Sequence, residues 1–152
     1  MTPKRVEALD TTYHKTHEWL NEISAELEND NPRYAYLALR GTLHAIRDFL
    51  PLEESAQLSA QLPMLVRGLY FEGWDPSRTP ERERTPDRFL SYVAAEMERA
   101  LWNEEHPIDP KAAMQAALRV LSRRVSAGEI AQVRRVLPEK VRALWPETAV
   151  TA

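Results

Sequence analysis

The sequence predicts an all-α protein, a compact bundle of about eight helices, and three observations carry that prediction. Its 152 residues include only 4 Gly against 11 Pro. Those Pro residues fall between apolar-periodic segments rather than inside them, which punctuates helices and not hairpins. Within the segments the apolar residues step by three and four, as one face of an α-helix requires. Asn, Asp, Ser or Thr then stands where several of the segments begin, ready to cap exposed amides.

In the first helix, Trp19, Leu20, Ile23 and Leu27 share a face, with Glu22, Glu26 and Glu28 elsewhere on the wheel and Asp10, Thr11 or Thr12 placed to cap the start. A second helix begins at Pro32 behind Asn31, and Tyr36, Leu39, Leu43, Ile46 and Leu50 form its apolar stripe. Pro51 and Pro63 bracket a short third helix with Leu58 and Leu62 facing inward, and Met64 to Tyr70 make a fourth. Residues 75–87 hold three Pro among charged residues without apolar periodicity and read as a linker. The pattern restarts at Thr85-Pro86-Asp87 with Phe89, Leu90, Val93 and Met97. Asp109-Pro110 opens a helix carrying Met114, Leu118, Leu121 and Val125. Ser126 and Glu129 have capping-box spacing before Ile130, Val133 and Leu137, and Pro138 starts the last helix, which ends at Leu144 and Trp145.

The second half echoes the first. At an offset of 75 residues, Leu43, Glu54, Gln57, Leu62-Pro63, Arg67 and Leu69 recur as Leu118, Glu129, Gln132, Leu137-Pro138, Arg142 and Leu144. At an offset of 70, Trp19-Leu20 and Ala25-Glu26-Leu27 recur as Phe89-Leu90 and Ala95-Glu96-Met97, with the extra residues absorbed around Trp102 to Pro107. The expectation is one domain over 1–152, made of two homologous four-helix units, 10–74 and 88–146, each covering the apolar face the other leaves open.

Composition excludes several classes. A hydrophobic fraction of 43% and a charged fraction of 28% describe a water-soluble globule. The absence of Cys removes disulfides, thiol catalysis and thiolate metal sites. The first 25 residues lack an apolar signal core, and no run approaches the ~18 apolar residues of a membrane span, so the protein is expected in the cytoplasm, away from membranes. A net charge of −3 supplies no global attraction to nucleic acid. Charge is nevertheless uneven: residues 1–110 carry a net −8 and residues 111–152 a net +5. Arg119, Arg123, Arg124, Arg134, Arg135, Lys140 and Arg142 form a basic stretch with neither interleaved aromatics nor a Gly-rich loop, so it is expected to dock on the acidic first half or on another subunit.

Few residues suggest chemistry. His14 and His17 stand three apart beside Glu18, but two imidazoles do not make a metal site and no metal is expected. Arg40, His44, Arg47 and Asp48 lie on one side of the second helix. Asp48 is placed to fix the tautomer of His44, although no nucleophile turn accompanies the pair, and a structural network around Asp48 is the preferred reading. The run from Gln61 to Trp74 is the densest in apolar and aromatic residues; it reads as a core helix, with Gly68 permitting close helix approach and Gly73 a left-handed cap. The other reading turns Tyr70, Phe71 and Trp74 toward a partner, with Arg67 nearby.

These residues carry a resemblance. Tyr13-x-x-Thr16-x-x-Trp19-Leu20, Ala38-Leu39-Arg40-x-x-Leu43-His44-x-x-Arg47-Asp48-x-Leu50-Pro51, Ala60-Gln61-Leu62-Pro63-x-x-x-Arg67-Gly68-x-Tyr70 and Gly73-Trp74-x-Pro76 are similar to the bacterial family called domain of unknown function 2267, over about residues 10–146. The resemblance implies small soluble all-helical proteins and names no activity, cofactor or partner. It adds weight to Arg40, His44, Arg47, Asp48 and Gln61-Leu62-Pro63. In the second half the pattern has decayed, with Arg119 at the place of His44 and Ser122 at that of Arg47. The resulting expectation is a non-enzymatic binding or scaffold module without a cofactor, acting on another protein or on itself. Its surface would lie around Tyr70 and Trp74 or on the basic C-terminal face. The alternatives are a small-ligand or metal sensor at Arg40, His44 and Asp48, and weak nucleic-acid binding through the basic helices. An enzyme would need acid–base groups from both halves in one cleft.

Overall fold

The computed structural model describes residues 4–101 and 108–147; the insertion expected at Trp102 to Pro107 lies outside them. Eight α-helices follow in order: α1 (Glu7–Leu27), α2 (Pro32–Phe49), α3 (Leu52–Ser59), α4 (Met64–Phe71), α5 (Pro86–Leu101), α6 (Pro110–Arg124), α7 (Ala127–Val136) and α8 (Glu139–Arg142). Among the described residues one 3-10 turn, Pro76–Arg78, lies between α4 and α5. No strand occurs among the described residues.

Several helix starts follow from local chemistry. Asn31 accepts from the Arg33 amide at α2, and Asp109 from the Lys111 amide at α6, each followed by Pro at the first helical position. Two starts differ from expectation. Helix α1 begins three residues before Asp10 behind Val6, which offers no side-chain cap, so Asp10, Thr11 and Thr12 lie inside the helix. At α7 the capping box is half formed. Ser126 Oγ accepts from the Glu129 amide, but the Ser126 amide donates to Gln61 Oε1 at 2.8 Å instead of to Glu129.

Helix α2 is the centre of the bundle, packed against α1, α4, α5 and α6. From Leu37 to Phe49 only Arg40 and Asp48 keep partial exposure. Small residues at Ala35, Ala38, Gly41 and Ala45 let neighbours approach on several sides. The closest approach is at Gly41, where a Cβ would stand 2.7 Å from the Val93 Cα of α5. Gly68, expected to serve such an approach, has nothing within 4 Å of its Cβ position, whereas Gly73 takes the expected left-handed conformation with φ of 75°. Tyr36 leaves the predicted stripe and is 41% exposed, because it faces outward beside α4 rather than into the core.

The segment 75–87 is tied to the end of α2. The Glu81 amide donates to Asp48 O at 2.7 Å, and Arg84 donates to Phe49 O at 3.1 Å while its guanidinium lies over the Phe49 ring. Ser55 Oγ donates to Arg47 O. The last carbonyls of α2 are thus satisfied by groups from elsewhere in the chain, as a buried helix end demands.

Gly41→Ala is expected to cost stability by about 2 kcal/mol or more, because the clash is with backbone and α5 must shift. Gly68→Ala should be neutral or stabilising by up to ~1 kcal/mol, since Ala is the better helix former and its methyl meets open space. Urea denaturation of the two variants separates these signs.

Candidate functional site

The polar face of α2 meets the C-terminal end of α4, which points into the body with unpaired carbonyls. His44 Nε2–H donates to Leu69 O at 2.7 Å. Arg47 Nη1 donates to Tyr70 O at 3.2 Å and to Glu72 O at 2.9 Å, and its Nε donates to Asp48 Oδ1 at 2.8 Å. Arg40 bridges Glu72, at 2.8 Å, and Glu96 of α5, at 3.1 Å. The four residues singled out on α2 are therefore together, and they hold the end of α4 and join it to α5.

The tautomer expectation for His44 needs correction. Asp48 binds Arg47 and the Tyr92 hydroxyl, at 2.9 Å, and makes no bond to His44. His44 is set instead by the carbonyl it caps. Burial, and to a lesser degree the nearby Arg47 and Arg40, hold its pKa below the ordinary 6.5 despite that carbonyl. Tyr92 lies between the Asp48 and Glu81 carboxylates, and burial followed by the Asp48 charge pushes its phenol up.

Tyr70 is fully buried and its hydroxyl donates to Ser55 Oγ at 3.0 Å, so it belongs to the core and not to a contact surface. Trp74 is half-buried, its ring tilted over Phe71 at 5.0 Å between centroids. Arg67 donates to Ser59 O and Leu62 O, closing the end of α3. Gln61 reaches across to Ser126 with both amide atoms, joining the end of α3 to the start of α7.

The second half repeats some of this wiring. Arg142, at the place of Arg67, donates to Arg135 O and Leu137 O. Leu144 O, at the place of Leu69 O, accepts from Gln115 of α6, one turn before Arg119, which stands where His44 does in the first half. Arg119 caps no helix end there and turns to α1: with Arg123 and Arg124 it faces Glu18, Glu22 and Glu26. The Arg123–Glu26 distance is 2.9 Å, and Arg124 also binds Glu22. Of the basic stretch, Arg119, Arg123 and Arg124 meet the acidic first half; Arg135 binds Gln132, Arg142 binds backbone carbonyls, and Lys140 is exposed. Each exposed pair adds at most ~1 kcal/mol, so the group sets orientation more than stability.

Two acids oppose each other where α3 packs on α7. Gln132 donates to Glu54 Oε1 at 2.9 Å, while Glu54 Oε2 and Glu129 Oε1 are shut off from solvent without a hydrogen-bond partner. Burial, and then the Glu54 charge, raises the pKa of Glu129. His14 and His17 stand exposed beside Tyr13. Among the described residues no three His, Asp or Glu side chains come together to hold a metal ion.

Residue spacing does not anticipate one feature. A groove of about 380 Å³ runs between α1, α2 and α4, lined chiefly by Leu20, Tyr36, Leu39, Leu65, Gly68 and Leu69. At its rim Met64 and Leu65 are 55% and 46% exposed. The available signal was α4 itself: eight residues with Met64, Leu65, Val66, Leu69, Tyr70 and Phe71 present more apolar faces than one packing surface covers.

A family model described as an uncharacterized conserved protein (DUF2267) matches residues 16–144. The chain belongs to this family. Among curated proteins no match is found. No helix of the described residues is long and apolar enough to cross a membrane.

Arg47→Met is expected to cost about 3–5 kcal/mol in a denaturation measurement, since it leaves Asp48 without its cation and the α4 carbonyls without a donor. His44→Gln keeps an amide donor and loses the titration. In the wild type the unfolded state takes up a proton that folded His44 refuses, so stability falls as pH drops below about 6.5, by up to ~1.4 kcal/mol per pH unit. Stability curves between about pH 7 and 5.5 should be flatter in the variant, and parallel curves would contradict this assignment of His44.

Proposed function

We propose that this chain is a non-enzymatic binding module of the bacterial cytoplasm that docks a polypeptide on the apolar face formed by α1, α2 and α4. One observation carries the reading: Tyr36, Met64 and Leu65 are exposed beside a formed groove, whereas the polar residues that resembled a reaction centre are engaged in holding helix ends. The chain supplies its own comparison. At the offset of 75 residues, Tyr36, Met64 and Leu65 correspond to Lys111, Glu139 and Lys140, all three exposed. At the places where the second half meets water with charge, the first half meets it with large apolar groups. Such clusters mark contact surfaces more often than single exposed residues do.

We also read residues 10–74 and 88–146 as copies of one four-helix unit. Supporting this are the same helix order in both, the matched Arg67 and Arg142 caps, and the matched Leu69 and Leu144 carbonyls served from α2 and α6.

A photoreactive amino acid at position 65, expressed in host cells, tests the docking face against the same probe at exposed position 140. The expected result is a discrete polypeptide adduct from position 65 and none from position 140. No adduct at 65, or equal adducts at both, refutes the reading.

A further inference from the structure

Helix α1 does not stop where the body stops. Its first buried residue is Thr12, and residues 4–9 and 11 are exposed, so the first turns stand clear of the core, with Glu7, Ala8 and Thr11 bordering a hollow beside Pro63 and Met64. A projection of about two turns gains little helical stability in water from propensity alone. This one carries Val6, Leu9 and Tyr13 at helical spacing, 58%, 56% and 53% exposed. At its base lies the groove. The Leu65 amide donates to Thr12 Oγ1 at 3.0 Å, which fixes the start of α4 beside Thr12. From there the groove follows both helices toward their C-terminal ends, to Leu20 on α1 and Glu72 on α4.

One face therefore presents a ridge and a trough side by side. Under a two-fold axis each ridge enters the other copy's trough, and the contact closes on itself without leaving either feature open. The axis runs the two α1 helices antiparallel, which carries each N-terminal tip toward the far end of the partner's groove. Lys4 and the positive end of α1 fit that direction. The tip also bears Glu7 and an Arg5–Asp10 pair at 3.5 Å, and the groove ends at the Glu72 carboxylate, which binds Arg40 yet keeps 60% exposure, near the C-terminus of α4. The area fits as well. Val6, Leu9, Tyr13, Tyr36, Met64 and Leu65 are 41–58% exposed. Together they offer on the order of 500 Å² of largely apolar surface, comparable with the apolar share of the ~800 Å² that each partner buries in a standard interface.

We infer that the occupant of this face is a second copy of the chain, each α1 tip lying antiparallel in the partner's α1–α4 groove with Lys4 directed at Glu72. The inference rests on the docking reading above and names its partner. Sedimentation velocity of the full chain, from micromolar to submillimolar concentration, is expected to show twice the chain mass. Leu9→Glu and Leu65→Glu should each give monomers with an unchanged helical spectrum, because both side chains are exposed. Lys4→Glu should weaken association about tenfold at low salt and little at high salt. A monomer throughout the concentration range overturns the inference, as does a dimer that survives both Glu substitutions. A second measurement holds even if a substitution disturbs folding. The chain has no Cys, so a spin label on Lys4→Cys is unique. Mixed with unlabelled ¹⁵N protein, it should broaden the amides of Gly68 and Leu69; broadening confined elsewhere, or none, overturns the pairing. A position-65 cellular adduct made with a different protein alone defeats self-pairing and leaves the docking reading standing, whereas no adduct defeats both.

Discussion

Short helices buried end-on create the constraint that organises this molecule. Helices α3 and α4 have eight residues each, and each leaves its last carbonyls without an intrahelical donor. Where such an end faces the body, water is a poor substitute, and a side chain must supply the hydrogen. His44 and Arg47 do so for α4, Arg67 for α3 and Arg142 for the end of α7. Arg47 is suited to this role because its planar guanidinium holds separate nitrogens toward two carbonyls and one carboxylate, where a lysine would have to serve all three from one atom. The cost of burying that cation is offset by Asp48, and Asp48 in turn fixes Tyr92 of α5. A capping requirement at the end of one helix thereby propagates into the contact between the two halves.

The same constraint explains which parts of the fold were legible in the sequence. Pro32 behind Asn31 and Pro110 behind Asp109 are local signals, readable because cap and amide lie two residues apart. The start of α1 carried no such signal, since Val6 caps nothing and the helix continues past Asp10 on its backbone bonds. The half-formed capping box at Ser126 failed for a different reason. Its second donor is taken by Gln61, 65 residues away, and no local rule contains that partner. The stripe of Leu39, Leu43, Ile46 and Leu50 on α2 was legible from its spacing, whereas the burial of its other sides and the outward turn of Tyr36 depend on the helices packed around it, which spacing along α2 does not encode.

The candidate site was legible as a cluster, but its role was not. Spacing alone brought Arg40, His44, Arg47 and Asp48 to one side of a helix, yet the group they serve is a set of backbone carbonyls, invisible in any residue pattern. The charge asymmetry was more informative. An α-helix rich in Arg and another rich in Glu attract each other within a single bundle, and Arg119, Arg123 and Arg124 meet Glu18, Glu22 and Glu26. Arg119, 75 residues after His44, serves that pairing and not a cap: Gln115, one turn earlier, supplies the donor to Leu144 O, and the arginine reaches Glu26 of α1.

The two halves also differ in the apolar surface they expose. In the second half, the region equivalent to α4 is the single turn Glu139–Arg142, and its outer positions are charged. The segment before α5 is held against α2 by Glu81 and Arg84, so it has no freedom to project. In the first half α4 runs for two turns, its outer positions are apolar, and α1 extends beyond the body with an apolar stripe. Exposing such groups disfavours solubility and contributes nothing to the monomer's core, because Val66 and Tyr70 already fill the inner side of α4. Packing therefore cannot account for Met64 and Leu65. Contact with another surface can, since association removes that apolar area from water once folding has left it exposed.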